Sequence, residues 1–302
     1  MQNRRNFLNT VISTTAVLAL HQPTFASNKS KQLTILHTND VHSRIEPFPA
    51  NDLKYPGMGG AAMRSSLINK IRKEKEQTLL LDAGDIFQGT PYFNFFKGDV
   101  EIDIMNELGY ECSTLGNHEF DNGIDALAKQ IDRANFPFVN CNYDFTNTLL
   151  NGKIHKHITL QKGSLKIGIT GCGVELKNLV APNNYKGIVY HDPIDKIQEQ
   201  VDILKHKKKC DIVIVLSHIG YAYNTNKISD LQLAQKTKDI DIIIGGHTHT
   251  FLEEPTIIQN LENKDVLINQ VGFAGIFLGQ IDYIFEKKST KKQAKNHIVI
   301  PT

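Results

Sequence analysis

Seven side chains of metal-binding type lie in five short pieces of this chain. The pieces are Asp40-Val-His42, Gly84-Asp85, Gly116-Asn117-His118-Glu119, Ser217-His218 and Gly246-His247-Thr-His249. Together Asp40, His42, Asp85, Asn117, His218, His247 and His249 offer four imidazoles, two carboxylates and one amide oxygen. A single cation takes roughly four to six ligands. Seven protein donors, with a carboxylate able to bridge, therefore point to two cations. Two metals about 3.5–4 Å apart are the usual apparatus for in-line displacement at phosphorus.

Local spacing favours ligation but does not prove it. Asp40 and His42 stand two apart, so on an extended segment both would project from one face. His247 and His249 repeat that spacing after Gly245-Gly246. Gly84 lets the chain turn sharply before Asp85, whereas Asp82, three residues earlier, reads as a structural group in or beside a strand. Alone, each piece has a bland alternative, because a loop histidine is usually a surface or capping residue. Recurrence of five pieces in this order, each just after an apolar run, carries the weight.

Those runs are the elements that must position the ligands. Leu33–Leu36, Leu79–Leu81, Ile212–Leu216 and Ile240–Ile244 read as strands, and Ser113–Leu115 as a weaker one. Ligands at strand ends are held by a sheet and gather at one edge of it. Helical periodicity appears between the strands. Ala61–Lys73 places Ala62, Ser65, Ile68, Ile71 and Arg72 along one face, and Asp99–Leu108 ends at Gly109. Ile124–Ala134 is a third helix, Asp192-Pro193 opens a fourth, and Leu231–Thr237 is a shorter one. Further strands are expected at Lys166–Thr170, Val266–Asn269, Gly279–Phe285 and His297–Ile300, the last two as a closing hairpin. This alternation predicts one continuous α/β domain.

Bulk properties exclude several classes. Of 302 residues, 40% are hydrophobic and 22% charged, as in ordinary globular proteins. The 34 basic residues include Arg4 and Arg5; without these two, 32 remain against 32 acidic ones. A neutral chain does not bind a nucleic acid polymer by charge. Lys287, Lys288, Lys291, Lys292 and Lys295 flank Ser289-Thr290 and read as a solvated hairpin tip. Cys112, Cys141, Cys172 and Cys210 lie in or beside apolar runs without a CxxC pattern, as buried thiols do. Residues 1–26 resemble an export signal of twin-arginine form, with Arg4-Arg5-Asn6-Phe7-Leu8, a short apolar stretch to Leu20, and Thr24-Phe25-Ala26 before the cut. Asn3 and Asn9 depart from the strongest such signals, so the general export route stays open. A periplasmic or extracellular location is expected, with no membrane anchor, because residues 1–26 hold no Cys for lipidation.

The motif order resembles that of the calcineurin-like metallophosphoesterases. Ile35-Leu-His-Thr-Asn-Asp40-Val-His42-Ser43, Gly89-Thr-Pro-Tyr92, Leu115-Gly-Asn-His-Glu-Phe-Asp121-Asn-Gly123 and Gly245-Gly-His-Thr-His249 are similar to the catalytic domain of 5′-nucleotidases. The resemblance runs from about Leu33 to Ile300. It implies a four-layer α/β/β/α sandwich, as a single domain over residues 27–302. It implies that Asp40, His42, Asp85 and His249 hold one metal. Asp85, Asn117, His218 and His247 would hold the other, with Asp85 bridging. Some relatives carry Gln where His249 stands, and the imidazole favours Mn, Zn, Fe or Co over Mg. His118 and Asp121 would form a catalytic dyad rather than ligate.

The resemblance implies a phosphomonoesterase, and residues 1–26 an exported one. Its substrates would be nucleoside 5′-monophosphates, attacked in line by a metal-bound hydroxide. Two-domain 5′-nucleotidases add a second domain bearing the nucleoside contacts, whereas this sequence stops at Thr302. A separately encoded nucleoside-binding domain is therefore an expected partner. Cyclic-nucleotide phosphodiesterase, nucleotide-sugar hydrolase and thiosulfohydrolase activities use the same ligand set and stay open. So does a non-catalytic metal- or phosphate-binding subunit.

Overall fold

The computed structural model describes residues 31–285 and 290–300. The export-signal reading of residues 1–26 lies outside the described residues, as do Lys287 and Lys288 of the expected hairpin tip, whereas Lys291, Lys292 and Lys295 fall within the last strand, Thr290–Ile298, rather than in a tip. In chain order the first half contains β1 (Lys31–Thr38), α1 (Ala61–Glu74), β2 (Thr78–Asp82), α2 (Pro91–Phe96), α3 (Asp99–Leu108), β3 (Cys112–Thr114) and α4 (Gly123–Arg133). Then come β4 (Phe138–Val139), β5 (Tyr143–Asp144), β6 (His157–Lys162), β7 (Leu165–Gly173) and β8 (Val189–Tyr190). After α5 (Pro193–Asp202) come β9 (Ile212–His218), α6 (Asp230–Lys236), β10 (Ile242–Gly245) and β11 (Thr256–Gln259). The described part closes with β12 (Asp265–Asn269), β13 (Phe277–Phe285) and β14 (Thr290–Ile298).

Two six-stranded sheets form, ordered β14-β13-β1-β2-β3-β4 and β11-β12-β10-β9-β7-β6. The strand runs are continuously apolar because both faces are covered. Period-two alternation then splits each run between two cores. Leu33, Ile35, Leu79 and Leu81 of one sheet pack against Ile167, Ile212, Ile214 and Ile242 of the other. Leu36 and Leu80 point the other way, onto Ile68, Ile71, Ile102 and Met105 of α1 and α3. Val213, Val215 and Ile243 likewise turn outward onto Ile197 and Val201 of α5 and Leu233 of α6. The result is the four-layer α/β/β/α sandwich.

β1, β2, β3 and β4 run parallel, as do β7, β9, β10 and β12. Open parallel sheets expose their ligand-binding crevice at the carboxyl ends of the strands. Asp40, Asp85, Asn117, His218 and His247 all follow or finish the carboxyl ends of β1, β2, β3, β9 and β10.

Several boundaries differ from the sequence expectation. The last strand is Thr290–Ile298 rather than His297–Ile300, and it pairs antiparallel with β13 along its whole length. On α1 the buried residues are Arg64, Ile68 and Ile71, so the packed face is shifted from Ala62 and Ser65. Five strands gave no periodic signal. β4, β5 and β8 are too short to show one, and β6 and β11 are only half-buried. The helix opened by Pro193 carries an Asp192 cap, whose side chain accepts from the Ile194 N–H, as its sequence indicated. All four cysteines are buried free thiols. No helix among the described residues is long and apolar enough to cross a membrane.

Candidate metal centre

Three loops are laced together before any ligand is considered. The backbone N–H groups of Asp40, His42 and Ser43 donate to the carbonyls of Gly84, Asp85 and Ile86 at 2.9, 3.0 and 2.8 Å. Glu119 clamps the next pair of loops. Its buried carboxylate accepts from the N–H groups of Asp85 (2.9 Å), Ile86 (2.7 Å) and Gly116 (2.5 Å). A Cβ on Gly116 would overlap Asp85 Oδ1, so this approach needs glycine. Asp82 does hold a structural role: it accepts from Thr38 Oγ1, Ser113 Oγ and the Gly84 N–H.

The backbone at five of the seven candidate ligands is left-handed rather than extended. Asp40, His42, Asp85, His247 and His249 have φ of 49°, 51°, 54°, 75° and 51°. Left-handed non-glycine residues are uncommon and concentrate at functional sites. The two-apart spacing therefore works differently from the sequence expectation. Asp40 and His42 do meet, but by tight turns. His247 and His249 separate, each joining a different cluster.

Asp40, His42 and His249 form one cluster and Asp85, His218 and His247 another, each with ligand atoms within 4.8 Å of one another. Asp85 lies between them: its Oδ2 is 3.0 Å from His218 Nε2 and 3.9 Å from His42 Nε2. Asn117 Oδ1 sits 2.9 Å from His247 Nδ1. His118 pairs through Nδ1 with Asp121 Oδ2 at 2.7 Å, yet it also falls in a group with His42 and Asp85. All nine residues singled out from sequence are thus brought to one place. Glu119 and Asn39 were missed. Asn39 Nδ2 donates to Asp40 Oδ2 (2.6 Å) and to the Gly272 carbonyl (2.7 Å), which fixes the carboxylate.

These donors fit divalent cations. His218 is fully buried, its Nδ1 lies 2.7 Å from the Ala83 carbonyl, and its Nε2 faces Asp85 without a hydrogen bond of good geometry. His42 Nδ1 meets the Phe87 carbonyl at 3.2 Å, leaving its Nε2 only 2.9 Å from His249 Nε2. Two ring nitrogens converging in this way, with the far nitrogens of His42 and His218 on carbonyls, is the arrangement that orients histidines toward a metal.

Charge follows the same pattern. Burial alone would lower His218, but the Asp85 and Asp40 carboxylates raise it to about 10. Burial alone would raise Asp85, but His218 and His42 hold it below the usual carboxylate range. Burial opposes charge on His118 too, and the Asp121 hydrogen bond with the Asp85 charge lifts it to about 8. His247 moves the other way, down to about 4, through burial and the neighbouring His218. The carboxylates thus draw positive charge to His218 and His118, while burial lowers His42 and His247.

Two stacked mixed sheets, with Asp40, Asp85, Asn117, His218 and His247 at the carboxyl ends of their parallel strands, form a metallophosphoesterase fold. The chain belongs to the calcineurin-like phosphoesterase family, whose model matches residues 33–251. A snake venom 5′-nucleotidase from Crotalus adamanteus is 34% identical over 90% of this chain and 48% of its own length. The crystal structure of a 5′-nucleotidase precursor from Thermus thermophilus superposes with a TM-score of 0.78 at 32% identity, over 89% of this chain and 55% of that one. The calcineurin-like phosphoesterase YfkN from Bacillus subtilis gives a TM-score of 0.71 at 25% identity, over 90% of this chain and 93% of that one. The chain spans about half the length of the curated 5′-nucleotidases it matches.

Proposed function

We propose that this chain is an exported two-metal phosphomonoesterase that hydrolyses nucleoside 5′-monophosphates. One observation carries the reading. Two His/Asp clusters share a boundary at Asp85, and the His118–Asp121 pair at 2.7 Å stands beside them. The names of the relatives support a nucleotide as substrate.

In this reading Asp40, His42, Asp85 and His249 hold one cation, and Asp85, Asn117, His218 and His247 the other. The cations, when bound, neutralise phosphoryl oxygens and lower the pKa of water. His118 faces the same space and donates a hydrogen bond to the phosphoryl group or the leaving oxygen. Asp121 keeps that ring oriented and protonated at its far nitrogen, as a general acid requires. Glu119 keeps Asp85 and His118 on adjacent loops at fixed separation, so the proton donor and the cations address one phosphorus.

The test is a substrate panel. Metal-stripped protein reloaded with Mn, Zn or Co should release phosphate from several nucleoside 5′-monophosphates and from an aryl phosphate. Activity confined to cyclic nucleotides, nucleotide sugars or thiosulfate would replace this reading with one of those chemistries.

A further inference from the structure

We infer that Phe273 is a positioning residue of this site, which fixes His249 by ring stacking where His42 and His218 use hydrogen bonds to backbone carbonyls. The inference rests on the reading of His249 as a metal ligand. His42 and His218 are each anchored by Nδ1 on a backbone carbonyl. His249 differs. Its side chain is 41% exposed, and among the described residues no hydrogen-bond partner faces its Nδ1. A ligand histidine ordinarily has such a partner to set its ring orientation. Instead the His249 ring lies flat on Phe273, with centroids 5.2 Å apart and planes 12° apart.

Phe273 is itself held in the frame of the site. The residues before it are tied to the β1 loop: the Val271 N–H donates to Asn39 Oδ1 (2.9 Å) and the Gly272 carbonyl accepts from Asn39 Nδ2 (2.7 Å). The residue after it, Ala274, donates its N–H to the Asp40 carbonyl at 2.7 Å. Its ring is boxed edge-on by Tyr55 at 5.7 Å and Phe251 at 5.9 Å. Edge-to-face aromatic contacts at such distances are favourable and directional. Asp40 and His249 belong to one cluster. Phe273 is thus the bridge that transmits the position of the Asp40 loop to an otherwise loosely held imidazole.

The experiment compares wild type, His249→Ala, Phe273→Leu and Phe273→Tyr by titrating metal-free protein with Mn or Zn. Nitrogen-15 histidine NMR follows the rings in the absence of metal. Removing a group that orients a ligand commonly costs about 10- to 100-fold in metal affinity. Phe273→Leu should weaken only the ion that His249→Ala loses, by about that factor, and should free the His249 ring in the metal-free protein. Phe273→Tyr keeps the stacking face and should restore both properties. Wild-type affinity for both ions in Phe273→Leu would overturn the inference. Equal weakening of both ions, without recovery in Phe273→Tyr, would overturn it too, since Phe273 would then be a packing residue only. If His249→Ala loses no ion, the ligand reading fails, and the NMR comparison still decides whether the stack orients the ring.

Discussion

Asp85 and His118 show how far single residues were legible. Four His, two Asp and one Asn just after apolar runs mark candidate ligands through their types and shared order together, not through any one residue alone. Backbone conformation is not declared in that way. Nothing in Asp40-Val-His42 announces φ near +50° at both ends, because hydrophobic period carries no information about the sign of φ. Glu119 stayed hidden for a related reason: its partners are backbone N–H groups, which have no sequence signature. The proposed roles separate in mutants. His118→Ala should keep both metals and lose about 10²–10⁴-fold in turnover, the usual range for general acid–base groups. Metal loss in step with activity would make His118 a ligand instead. His37 carries a different prediction. It is fully buried, with Nε2 2.9 Å from Asn269 Nδ2, and burial lowers it from 6.5 to about 3. The unfolded chain binds this proton below pH 6.5 and the folded chain does not until about pH 3. Stability should therefore fall as pH drops through that window, by about 1.4 kcal/mol per pH unit from this group. Denaturant unfolding of His37→Gln should show a slope shallower by that amount; identical slopes would show that His37 is not buried neutral.

At the scale of elements, the long central strands were clear from sequence because burial on both faces makes them continuously apolar. Ile212–His218 and Ile242–Gly245 are examples. α3 was located to the residue, with acidic Asp99 and Glu101 in its first turn and Gly109 at its end. The sequence was silent about α2, a single short helix with Pro91 in its first turn, whose exposed Phe95 and Phe96 break any amphipathic pattern. It was equally silent about edge strand β6, where half-exposed residues mix His, Thr, Gln and Lys. Between elements, Glu119 joins the loops after β2 and β3. Glu119→Gln puts an amide N–H against backbone donors and should cost about 1–3 kcal/mol of stability, as unmade buried hydrogen bonds do. Thermal unfolding of the metal-free variant checks this, and an unchanged Tm would remove Glu119 from its clamping role.

For the whole molecule, the four-layer architecture followed from motif order rather than from any one element, since no local pattern tells one sheet from two stacked sheets. Register between the sheets comes from the interleaving of Leu33, Leu81, Ile214 and Ile244, contacts far apart in the chain. Export is the proposal furthest from the fold. Arg4→Lys with Arg5→Lys should hold the protein inside the cytoplasmic membrane if the twin-arginine route is used, with normal export pointing to the general route. The central claim is a two-ion centre bridged at Asp85, and metal stoichiometry tests it most directly. Wild-type protein, stripped and reloaded with Mn or Zn, should bind two ions per chain, and Asp85→Ala should bind neither tightly. One ion in the wild type, or two retained by Asp85→Ala, would contradict it.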